Sequence, residues 1–400
     1  MTTRRFTVAG SDALERRLTE LMSEVGDRLR DALPARDVRC SALIGGYGRG
    51  EGGVVVEDGE ERPHNNFDLL IVAEAHAHRR QAELKVAAER AIALVARAAR
   101  VAIDVGTTSV RNLRWSVCLV MWYDMRFGHR LVLGDADYLP GLTRFTVERI
   151  DPRDVRSLLV NRGTLLVLNR LLDAGDPVHR MAMLRHAMKA VIGFGDALLF
   201  SVGSYHWSYV EKRARMRACR VASGAFRDLY DQAAAFRFRP DYAAWAATDV
   251  RAWLDGIIPE LAKAHQQVEA TLLARPPLPW SDYPGALSRA ALSGPPSGPR
   301  ALVRRARSLM GSRPCPFPAS TLARWGWRCL GASGQLAAAF PGVAYPSAGD
   351  ASRSRSAAIL GCSTGDAALT RAFLGRWGRD ADSNFSAALR RFGVTLEGQP

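Results

Sequence analysis

Residues 42–72 constrain the fold more than any other stretch. An apolar run, Ala42-Leu43-Ile44, leads into Gly45-Gly46-Tyr47-Gly48-Arg49-Gly50-Glu51. After a polar excursion, Asn66-Phe67-Asp68 opens a second apolar run, Leu69-Leu70-Ile71-Val72. Short apolar runs bounded by glycine and polar residues read as buried strands. The chain must therefore leave one strand through a glycine turn and return with a carboxylate at the head of another. Alternate residues along a strand share a face, so Asn66 and Asp68 point the same way. A further carboxylate, Asp104, interrupts the apolar run Val101-Ala102-Ile103-Asp104-Val105, which is expected to form a third strand.

This pattern suits the handling of a magnesium-bound phosphate chain. A glycine turn lets backbone N–H groups approach phosphate oxygens. Magnesium needs hard oxygen ligands, commonly one or two carboxylates completed by substrate phosphates and water. Two carboxylates on neighbouring strands beside a glycine turn supply both requirements. The expected set is Gly45, Gly46, Tyr47 and Arg49 for phosphate, and Asn66, Asp68 and Asp104 for metal. Each has a plainer reading. The glycines could form an ordinary strand-to-helix turn, Asp68 could cap a turn, and Asp104 could be a satisfied structural acid. Arg49 could equally pair with Glu51 or Asp68.

The run Gly-Gly-Tyr-Gly-Arg-Gly-Glu, followed by Asn-x-Phe-Asp-Leu-Leu in the notation Asn65-Asn66-Phe67-Asp68, resembles the polymerase-β-type nucleotidyltransferase superfamily. Locally it is most similar to the nucleotidyltransferase domain of the uridylyltransferases that modify the PII signalling protein. The similarity spans roughly residues 38–110. It implies an α/β (α+β) mixed-sheet nucleotidyltransferase domain followed by an all-α helical domain. It also implies transfer of a nucleoside monophosphate from a Mg2+- or Mn2+-bound nucleoside triphosphate to a hydroxyl on a protein, RNA or small molecule. Asp68 and Asp104 would then be catalytic, and a helical-domain lysine, here Lys189, would help hold the triphosphate. The first metal aspartate of that superfamily is Asn66 in this chain. An amide is neutral, so the alternative is a catalytically impaired nucleotide-binding or scaffolding protein.

Around this stretch the chain reads as helix, strand, strand, helix, strand, strand. Ser11 is placed to cap an amphipathic helix reaching Leu33, with Leu14, Leu18, Leu21, Val25 and Leu29 on one stripe. A second helix is expected over 78–100, a fourth strand within Val117–Met125, and a further one over Leu131–Asp135. The acidic run Glu57-Asp58-Gly59-Glu60-Glu61 is expected to be an exposed insertion. Beyond Asp154 the period is helical, over Val155–Leu172, Pro177–Leu199, Tyr209–Phe236 and Tyr242–Leu273. Tyr205, Trp207 and Tyr209 are expected in the core. Prolines from Pro276 to Pro318 and the serine- and glycine-rich stretch 342–356 suggest a loosely ordered tail with short helices within Ser320–Phe340 and Asp366–Phe392. The expected domains are 1–145, 146–275 and 276–400.

The formal net charge of +15 invites a nucleic-acid reading. Only four of the 55 basic residues are lysines, and the arginines are dispersed. The densest cluster, Lys212 to Arg217 with Arg220, is expected to be a solvated helix face. The six cysteines show no zinc-ligand spacing and no disulfide pattern. No apolar run is long enough for a membrane helix and none follows the N-terminus as in a signal peptide, so a cytoplasmic location without membrane contact is expected.

Overall fold

The computed structural model describes residues 5–292, 306, 308–382 and 385–394. Residues 1–4 and Pro295, Pro296 and Pro299, named in the sequence reading, lie outside the described residues. The protein is mixed α/β, with a small mixed sheet and many helices. Two compact units alternate along the chain. One comprises residues 1–154, 204–218 and 231–244, and the other 155–203, 219–230 and 245–400.

The first unit is built on β1 (Val38–Ile44), β2 (Val54–Glu57), β3 (Glu60–Pro63), β4 (Phe67–Ala73), β5 (Ile103–Ser109) and β6 (Arg130–Gly134). Four of these form one sheet in the order β5-β4-β1-β6. Strand β4 is antiparallel to β1 and parallel to β5, which makes the sheet mixed. The near-continuous burial of β1 and β4 explains their unbroken Val, Leu and Ile runs. Helices α1 (Asp12–Ala32) and α3 (Gln81–Ala98) pack with each other and with the sheet. The α1 stripe is buried at Leu14, Leu18, Val25 and Leu29, and the Ser11 hydroxyl accepts the Leu14 N–H at 3.3 Å. Strands β2 and β3 pair as a hairpin closed by Asp58-Gly59, so the acidic run is an exposed hairpin tip.

The region 117–125 is not a strand. Helix α4 (Val110–Trp115) ends just before it and α5 (Val120–Phe127) occupies most of it, and only Cys118 makes an isolated bridge, to Ile150. The composition favours a strand, but tertiary contacts override it. The Asp154 carboxylate accepts the Val120 N–H at 2.8 Å and caps α5. Burial of Val120 and Tyr123 at helical spacing then anchors α5.

The second unit is helical in its described residues. It contains most of α6 (Pro152–Asn169) and all of α7 (Pro177–Ser201) and α10 (Val250–Leu272). The expected single helix over Tyr209–Phe236 is two helices, α8 (Tyr209–Arg217) and α9 (Gly224–Phe238). The break is fixed by the Ser223 hydroxyl, which accepts the Phe226 N–H at 3.0 Å. Arg227 adds bonds to the Cys219 and Ala222 carbonyls.

The tail is not loosely ordered where it is described. It forms helices over Thr321–Cys329, Gly331–Ala344, Gly349–Leu360, Asp366–Asp380 and Phe385–Arg391, burying Leu336, Phe340, Phe373 and Leu374. The small residues read as flexible are a packing device. A Cβ on Gly342 would lie 2.3 Å from the Ser356 hydroxyl, so glycine and serine let two helices approach closely. This unit also buries an ion pair. Both oxygens of Glu269 accept from Arg156, at 2.6 and 2.7 Å.

Candidate functional site

The site is assembled at one end of the mixed sheet. Ile44, the last residue of β1, is in register with Asp68, the second residue of β4. Asp68 is in turn in register with Asp104 on β5. Phe67, between Asn66 and Asp68, is fully buried, and its N–H bonds the Ala102 carbonyl at 2.9 Å. That bond fixes the register and turns Asn66 and Asp68 outward together, as strand alternation requires. Asn66, Asp68 and Asp104 are all exposed. The Asn66 amide donates to Asp104 Oδ2 at 2.8 Å.

Gly45 follows Ile44 directly and begins the short helical turn Gly45–Arg49. Its φ is +67°, and a Cβ built on it would stand 2.3 Å from Asp68 Oδ2. The position therefore needs glycine both for its left-handed backbone and for the carboxylate lying against it. The substitution Gly45→Ala is expected to cost about 1–2 kcal/mol from backbone strain alone and to displace Asp68. Gly46→Ala should cost less, because Gly46 has no left-handed backbone and its nearest neighbour, Arg237 Nη2, stands at 3.3 Å. Urea unfolding of the two variants checks the difference.

Asp68 and Asp104 thus come together beside Gly45, with Asn66 clamped to Asp104. Among the described residues no group of three His, Cys, Asp or Glu side chains is placed to hold a metal ion. The donor set is two carboxylates and one amide. It suits a magnesium ion whose remaining positions are filled by phosphate oxygens and water.

Two residues of the expected phosphate set are committed elsewhere. Tyr47 is 2 % exposed, packs edge-on to Phe67 and donates from its hydroxyl to the Gly53 carbonyl at 2.7 Å. Burial pushes its phenol up to about 12. The Arg49 side chain is only 8 % exposed. Its guanidinium lies 3.3 Å from Asp124 and 3.8 Å from Glu51, and over the Tyr209 ring at 5.0 Å. Lys189 is exposed on α7, in the second unit rather than the first.

Behind the glycine turn lies a polar network that the sequence reading did not assemble. Glu51 is buried at the start of α8, where it accepts the Ser208 hydroxyl and the Tyr209 N–H, the latter at 2.8 Å. Asp124 accepts the Tyr205 hydroxyl at 3.1 Å. Lys212, expected on a solvated face, is fully buried, with Nζ over the Tyr205 and Tyr209 rings at 4.4 and 4.0 Å. Of that cluster Arg213 and Arg217 are also engaged, both pairing with Asp231. The usable signal was scarcity. In a chain that prefers arginine, Lys212 alone among the four lysines is buried.

No protein-family model matches the chain, and no curated protein or solved structure is significantly similar to it. No helix among the described residues is long and apolar enough to cross a membrane.

Proposed function

We propose that the protein is a nucleotidyltransferase of the polymerase-β type, moving a nucleoside monophosphate from a magnesium-bound nucleoside triphosphate to a hydroxyl acceptor. One observation carries the reading. Gly45, Asp68 and Asp104 stand in a row across three adjacent strand ends, with the Asp68 carboxylate against a left-handed glycine.

In this reading Asp68 and Asp104 hold the metal, and the Gly45–Gly46 turn seats the triphosphate. The bound cation supplies charge neutralisation on the phosphates. Asp104 accepts the proton of the acceptor hydroxyl. That oxygen then bonds to the α-phosphorus while the bond to the β-phosphate oxygen breaks, releasing pyrophosphate. Arg49, Glu51 and Asp124 serve as the buried frame under the turn. The acceptor could be a protein, an RNA or a small molecule.

A second reading is favoured by the Asn66–Asp104 bond. An amide N–H that donates to a carboxylate occupies an oxygen a cation would use. This describes a nucleotide-binding protein that has lost turnover. Incubation with magnesium and each of the four α-labelled triphosphates separates the two. Label transferred to any acceptor supports the enzyme. Binding without turnover, with activity gained in Asn66→Asp, supports the retired form and overturns the enzyme reading for the natural sequence.

A further inference from the structure

We infer that Arg237 is a phosphate-binding residue of this site, engaging the triphosphate tail at the Gly46 side of the turn. The inference rests on the nucleotidyltransferase reading for the identity of the ligand, but its observations are separate.

Arg237 lies near the end of α9, in the part of that helix that belongs to the first unit. Its guanidinium carbon lies over Tyr209, 4.1 Å from the ring centroid. The Tyr209 backbone is itself anchored, because its N–H donates to Glu51 at 2.8 Å. Of all side-chain atoms near the glycine turn, Arg237 Nη2 comes nearest to a Cβ placed on Gly46, at 3.3 Å. A cation thus lies over an aromatic ring with its Nη2 at the turn.

The charge around it is unbalanced. Three cations surround the Tyr209 ring, namely Arg49, Lys212 and Arg237. The network holds two carboxylates, Glu51 and Asp124, and both approach Arg49. Arg237 has no carboxylate partner among the described residues, and its Nε is buried without a hydrogen-bond partner. A partly buried guanidinium in this state gains from an acceptor that completes it. The missing partner is an anion, and the fork geometry of arginine suits phosphate oxygens. Asp68 and Asp104, at the metal side of the same turn, would repel a bare anion but accept one carrying magnesium. A magnesium triphosphate satisfies both ends: metal at the two aspartates, tail oxygens at Arg237.

The test titrates magnesium tripolyphosphate by calorimetry into the full chain and into Arg237→Gln and Arg237→Lys, with nucleotide kinetics run alongside. Loss of one charge-assisted interaction predicts affinity weakened about 10- to 100-fold in Arg237→Gln. Arg237→Lys should be intermediate, since it keeps charge but not the fork. The KM for nucleoside triphosphate should rise by a similar factor while kcat changes far less. Should Arg237→Gln not fold, judged by its thermal transition, Arg237→Lys carries the comparison. Unchanged tripolyphosphate affinity in the folded variant, or no tripolyphosphate binding by the natural protein, overturns the inference. Label transfer with KM unmoved in the variants overturns it while leaving the nucleotidyltransferase reading intact. Arg237-dependent binding with no transfer to any acceptor does the reverse.

Discussion

Asp68→Ala is expected to abolish label transfer, lowering the rate by roughly 10^3-fold or more. That factor corresponds to the several kcal/mol of charge stabilisation a bound metal supplies. The fold should survive, because Asp68 is exposed and its strand is held by buried Leu69, Ile71 and Val72. The control is therefore direct: far-UV circular dichroism and the urea midpoint of Asp68→Ala should match the natural protein within about 0.5 kcal/mol, as for exposed substitutions generally. Asp104→Ala should lose activity comparably. Its partner Asn66 would keep its place through the Phe67–Ala102 backbone bond. Full activity in Asp68→Ala would remove the metal role from the central carboxylate of the site.

The largest stability effect is expected in the second unit, at Arg156 and Glu269. The pair is bidentate and nearly excluded from water, with side chains 13 % and 4 % exposed. Removing one partner leaves a buried charge unanswered, so Glu269→Ala or Arg156→Met should cost about 3–5 kcal/mol by urea unfolding. The double replacement Arg156→Met with Glu269→Met should recover much of that loss, since an apolar pair carries no such penalty. A double variant as unstable as the sum of the singles would show that the pair is not the cause. The same residues set a pH dependence. Burial alone would raise the Glu269 carboxyl, but Arg156 and His265 outweigh it and bring it from 4.5 to about 2. A carboxyl lower in the folded state stabilises fully above its unfolded value. The contribution is therefore present above about pH 4.5 and is lost as pH falls toward 2, which acid titration of the urea midpoint follows.

How much of this was legible in the sequence depended on distance along the chain. The strands Val38–Ile44 and Phe67–Ala73 were visible because their burial on both faces leaves uninterrupted apolar runs. Asp104 was visible as a carboxylate interrupting a short apolar run, but its register opposite Asp68 was not. Gly45 was visible as a turn residue, although its contact with Asp68 Oδ2 was not. What failed depended on partners far away in sequence. Val117–Met125 has a strand composition, and the Asp154 carboxylate that caps the helix there lies far along the chain, just before a segment read as another helix. Arg49 sits inside a glycine motif, yet Asp124 and Tyr209 determine where its guanidinium goes. Lys212 and Arg237 are ordinary helical residues until Tyr209 is placed between them. In the tail, serine and glycine look alike whether they make a loose linker or a close helix crossing, and only the Gly342–Ser356 approach separates the two.

In the proposed function, Asp68 and Asp104 beside the Gly45 turn form a metal–nucleotide site. Titration with Mn2+ and a non-hydrolysable nucleoside triphosphate, followed by electron paramagnetic resonance, tests it most directly and independently of any acceptor. Nucleotide-dependent Mn2+ binding to the natural chain is expected, lost in both Asp68→Ala and Asp104→Ala while both remain folded. Mn2+ and nucleotide binding that persists undiminished in Asp68→Ala, or no binding to the natural protein, would contradict it.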